Sequence, residues 1–190
     1  MRILEPATDD EVYHQWLKSE AHKYGAADQA TLHELLPSPD FNDNSENSRR
    51  RALLFATREP LLSSLPDLTK WQRSVLDEQD LQNLYVIKSD DWDEICAGYL
   101  LRNVRYPEGC SEKTQQKVAH ILERVACPGF DRALILIGTV ASGPFTVLDG
   151  NHRALAMTLA VRRGTLFDGG IPAFLGLSPR MTSCVWYSCP

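Results

Sequence analysis

Long apolar runs are missing from this sequence: none of its 190 residues form a stretch near the roughly 20 that cross a bilayer, so no membrane-spanning helix is expected. Positive charge is also short. Twenty Lys and Arg stand against 25 Asp and Glu, a formal net charge of −5, which argues against a broad electrostatic grip on nucleic acid. No aromatic residue interleaves the one basic run, Arg49-Arg50-Arg51, which reads instead as the solvated first turn of a helix. The five cysteines (Cys96, Cys110, Cys127, Cys184 and Cys189) contain no CxxC pair, and their odd number leaves at least one unpaired in a monomer, so reduced thiols are expected. Cys184 and Cys189 have no neighbouring ligands to complete a zinc site, and His14, His22, His33 and His120 lack metal-ligand spacing. There is no GxSxG elbow, internal repeat or heptad run. The first residues, Met1 to Pro6, lack the basic-then-apolar pattern of a secretory signal, and a cytoplasmic location is the expectation.

What is present divides into two textures. Residues 1–80 read as a helical N-terminal extension. Asp9 or Asp10 is expected to cap a helix ending at Gly25, a second helix to span Asp28 to Leu36, and a third to run from Ser48 to Arg58 before Pro60 interrupts it. The polar stretch Asn42 to Ser48 is expected to be an exposed, mobile loop, and Asp67 to Leu76 to make helical turns around Trp71 and Val75. Residues 81–190 read as a second domain. Leu84 to Lys88 suits a strand, Ser111 to Val125 an amphipathic helix capped by Ser111, and Tyr99 to Val104 either a strand or a helical turn. Ala133 to Gly138 and Phe145 to Leu148 suit an antiparallel hairpin across Ala141-Ser142-Gly143-Pro144; Ile171 to Gly176 suits a further strand and Val185-Trp186-Tyr187 an edge. The four tryptophans, Trp16, Trp71, Trp92 and Trp186, are expected in the core.

Between the hairpin and the next helix stands Asp149-Gly150-Asn151-His152-Arg153-Ala154. A glycine there permits a positive φ and a close backbone approach, and the first turn of the following helix offers N–H groups at the positive end of a dipole. Arg153 at that end is electrostatically misplaced unless something negative compensates it; an anion does so, and so does Asp149, in which case the arrangement is structural. Asp149 reads equally as a Mg²⁺ ligand or an N-cap. His152 suits a general acid or base near neutral pH, or an exposed histidine of a first turn. Arg102 and Arg105 are second-rank phosphate contacts.

The order strand, turn, strand, Asp-Gly-Asn-His-Arg, helix, then Ile-Pro-Ala-Phe as a strand resembles the ParB/sulfiredoxin superfamily, over about Ala133 to Leu177. The resemblance implies an α+β fold, a small mixed sheet with flanking helices, whose corner holds nucleotide phosphates. Gly150 would make the turn, Asn151 and His152 would offer backbone N–H groups, and Arg153 would clamp the phosphates. Sulfiredoxins carry their reactive cysteine where this chain has Asn151, so sulfinic-acid reduction is not implied. Thirteen residues follow Leu177, so the helix-turn-helix of the DNA-partition members is not expected. The leading expectation is an ATP- and Mg²⁺-dependent phosphotransferase acting on a small-molecule acceptor, with Asp149 or His152 orienting the acceptor hydroxyl and Asp149 touching the metal. Phosphodiester or nucleotide hydrolysis is the alternative enzyme. A non-catalytic nucleotide-sensing domain, its N-terminal helices engaging a protein partner, is the third.

Overall fold

The computed structural model of the chain describes residues 1–67 and 69–190. Two compact units emerge: residues 7–63 form one, and residues 1–6 with 64–190 the other. This division differs from the expected 1–80 and 81–190, because the chain enters the sheet before it builds the helices.

The helical unit begins at α1 (Asp9–Glu20), whose cap is Thr8 and not an aspartate. Thr8 Oγ1 accepts from the Glu11 N–H at 3.3 Å while Glu11 Oε2 accepts from the Thr8 N–H at 2.8 Å, and Asp9 and Asp10 stand in the first turn where their charge suits the dipole. Gly25 does not end this helix; a 3-10 turn follows and Gly25 becomes the N-cap of α2 (Ala26–Leu35). The third helix, α3 (Asn44–Leu62), starts four residues earlier than expected, since Asp43 Oδ1 accepts from the N–H groups of Ser45 and Glu46 at 2.7 and 3.2 Å. Part of the expected mobile loop is therefore a cap and first turn, and the helix runs through Pro60 for two more residues. Arg50 also departs from the expected solvated face. It is buried, donating to the carbonyls of Leu35 and Asp40 and to the side chains of Asn47 and Glu46, with Phe41 under its guanidinium at 5.4 Å. Acceptors from a neighbouring helix and loop replace the water that the charge gives up.

The other unit is an open mixed sheet with helices, so the chain is α+β. Six strands and seven α-helices are present among the described residues. The strands are β1 (Arg2–Ala7), β2 (Lys70–Leu76), β3 (Tyr85–Val86), β4 (Leu134–Gly138), β5 (Phe145–Asp149) and β6 (Ile171–Leu177), in the order β1-β2-β6-β4-β5-β3. The remaining helices are α4 (Glu78–Gln82), α5 (Asp90–Ile95), α6 (Glu112–Arg124) and α7 (Asn151–Arg162). The stretch expected as helical turns is β2. Its register with β6 pairs Trp71 with Gly176, and the indole lies so close that a Cβ at position 176 would fall 2.6 Å from Trp71 Cζ3. Residues 171–177 supply that partnership from a hundred residues away, which no local pattern announces. Tyr99 to Val104 resolves as two short 3-10 turns, and Val185 to Tyr187 is a turn and not a strand, although the Trp186 carbonyl accepts from the Lys88 N–H at 3.1 Å.

Core packing joins α6 and α7 to the sheet through Val118, Leu134, Leu136, Val147, Leu155, Met157 and Leu175. Trp16, Trp71 and Trp92 are buried and Trp186 half-buried. No helix among the described residues is long and apolar enough to cross a membrane.

Glu20 of α1 is buried with Arg58 Nη2 at 2.5 Å and Lys23 Nζ at 2.6 Å. Burial alone would raise its carboxyl, but the hydrogen bonds and charges of Arg58 and Lys23 outweigh it and hold the group below its ordinary value. Such a group stabilises the fold fully above its unfolded value of 4.5, and that contribution fades as pH falls through the lower folded value. Arg58→Ala should therefore lower stability by about 2 kcal/mol at pH 7. Urea unfolding at pH 7 and at pH 3 checks this: the gap between wild type and variant should shrink in acid, and an equal gap at both would contradict it.

Candidate functional site

The hairpin of β4 and β5 is buried over nearly its whole length and delivers the chain to Asp149 at the end of β5. Gly150 then turns it, at φ +92° and ψ +21°, and α7 begins at Asn151, the Ala154 N–H bonding the Gly150 carbonyl at 2.8 Å. Two separate demands select glycine. The left-handed φ disfavours any side chain, and a Cβ would lie 2.7 Å from Leu134 Cδ2 and 3.0 Å from Arg153 Nη2. Residues Ala154 to Ala160 of α7 are all buried, so the middle of the helix is enclosed on every side, with Thr158 Oγ1 donating to the Ala154 carbonyl at 2.8 Å.

The corner brings the expected residues together, with a partner for each side chain. Arg153 Nη2 bonds Asp149 Oδ2 at 3.0 Å, and the two side chains are 14 and 12% exposed. Asn151 is buried, and its Oδ1 accepts the Ile87 N–H at 3.1 Å, tying the chain just beyond β3 to the start of α7. His152 is half-buried, with its ring edge-on to Trp92 of α5 at 5.1 Å between centroids. Gly150 contributes no capping side chain, and the first turn of α7 holds no acidic residue. The first-turn amides and one guanidinium thus occupy a dipole-positive corner, an arrangement suited to phosphate oxygens.

Other expected contributors lie elsewhere. The Arg102 carbonyl accepts from Arg162 Nη2 at 2.7 Å, so its backbone is bonded to the last turn of α7 and not to the first. A cavity of about 350 Å³ opens among Leu76, Asp80, Leu84, Pro144 and Phe145, and one of about 370 Å³ lies within the helical unit among Tyr24, Asp28, Leu53 and Ala56. Neither includes a residue of the corner. The five cysteines are free, and burial pushes the Cys96 thiol up to about 12, which makes it a poor nucleophile.

A metal at Asp149 meets an obstacle in the chain itself. The carboxylate is bound to Arg153, and among the described residues no three His, Cys, Asp or Glu side chains converge. The residues present do not form a metal cage by themselves.

The supporting residues Ile87, Trp92 and Leu134 had no signature in the motif. They reach it from 64, 60 and 16 residues upstream, counted to Asn151, His152 and Gly150, and only the folded sheet brings them there.

Gly150→Ala combines a left-handed φ with two close contacts, and should cost about 2–3 kcal/mol. Chemical denaturation of the full chain measures it; a cost below about 0.5 kcal/mol would show that the corner relaxes freely. Comparison of the chain with family models, with curated proteins and with solved structures gives no match in any of the three.

Proposed function

We propose that the sheet unit is a nucleotide-binding domain of the ParB/sulfiredoxin-like kind, gripping phosphates at Gly150 to Arg153. One observation carries the reading: a guanidinium lies over a left-handed glycine at the start of a helix that has no side-chain cap and whose middle, Ala154 to Ala160, is buried. Cation, dipole and bare backbone converge there, and a phosphate group is the ligand whose charge and multiple acceptors use all three.

Of the functional forms, recognition without chemistry has the better support. Asp149 is held by Arg153 and His152 packs on Trp92, so both catalytic candidates also serve the architecture, as does Asn151 through the Ile87 amide. The phosphotransferase reading keeps one favourable point: His152 is half-buried within the corner and is of the residue type that exchanges protons near neutral pH. In that form Asp149 or His152 would take the proton of an acceptor hydroxyl as its oxygen bonds the γ-phosphorus of ATP and ADP leaves.

A thermal-shift panel of ATP, ADP and CTP with Mg²⁺ tests the reading. At a hundredfold excess over the dissociation constant, a bound nucleotide should raise the melting temperature by about 5 °C or more. Arg153→Ala should abolish that rise while leaving a folded protein, and no shift with any nucleotide would refute the proposal. Release of phosphate or ADP that disappears in His152→Ala, with binding retained, would move the assignment from sensor to enzyme.

A further inference from the structure

The Arg153 side chain folds back along the chain. Its Nη2 lies 3.0 Å from Asp149 Oδ2, one helical turn upstream, and Nη2 and Nε sit 3.0 and 3.2 Å from the point a Cβ on Gly150 would take. The guanidinium therefore covers the bare glycine over which a phosphate would approach. The two formal charges offset each other, which weakens the pull that Arg153 alone would exert on an anion. Both side chains are mostly buried, so solvent and salt screen their pairing less than a surface pair.

Resting on the phosphate reading, we infer that Asp149 is a built-in competitor for the ligand: it occupies Arg153 in the empty protein and thereby sets both the affinity and the class of anion admitted. A monovalent carboxylate gains nothing by displacing another carboxylate from Arg153. A di- or triphosphate does gain, because several oxygens engage the guanidinium and the first-turn amides together. Asp149 thus keeps the corner closed to common small anions and open to polyphosphates, and it works against binding even though it belongs to the motif.

Titration calorimetry with pyrophosphate in EDTA at low salt tests this with no metal involved. Asp149→Asn, which nearly preserves shape, and Asp149→Ser, in case the first does not fold, should each bind pyrophosphate about tenfold more tightly than wild type. The gain should shrink as salt is added and vanish in Asp149→Asn/Arg153→Ala. Binding by the single variants alone, with none by wild type, would show Asp149 closing the corner to polyphosphates as well and would overturn the selectivity while the phosphate reading stands. If wild type binds and the folded single variants bind no more tightly, the competitor role is overturned while the phosphate reading stands. If neither wild type nor any variant binds, both fall.

Discussion

The left-handed turn at Gly150 is the constraint on which the rest of the site depends. It joins a buried strand to a buried helix with no intervening loop, so neither element can shift without the other. Leu134 closes one side of that glycine and Arg153 another, and a side chain would meet both. The start of α7 is consequently placed by the core of the sheet and not by a flexible connection. The anion site proposed for this corner needs that, because backbone amide donors cannot reorient individually.

Charge is arranged around this corner with equal economy. Arg153 stands where the helix dipole is already positive, and Asp149, one turn upstream, supplies the missing negative charge. The same pair explains how the fold tolerates a cation at that dipole-positive position. Asn151 and His152 add a different constraint: by holding Ile87 and Trp92 they link the corner to the chain that follows β3, which forms one edge of the sheet.

Much of this was legible in the sequence where the signal is local. The hairpin, the glycine corner, α7 and α6 follow from apolar alternation, a glycine between strand and helix, and a serine cap. What was not legible depends on distant partners. β2 looked helical because Trp71 and Val75 fall four residues apart, and its pairing with β6 overrides that spacing. Arg50 looked solvated because its acceptors come from Leu35 and Asp40 as well as from its own helix. The motif named the corner's residues but not their present bonds, since Asp149 reads the same in sequence whether it awaits a metal or holds an arginine.

The most direct measurement is amide and arginine side-chain NMR of the full chain during an ATP titration. Phosphate recognition at this corner predicts that the largest shifts fall on the backbone amides of Asn151, His152 and Arg153 and on the Arg153 Nε–H, with smaller changes at Ile87 and the Trp92 indole. Shifts confined to residues outside the corner, or none at saturating ATP, would contradict it.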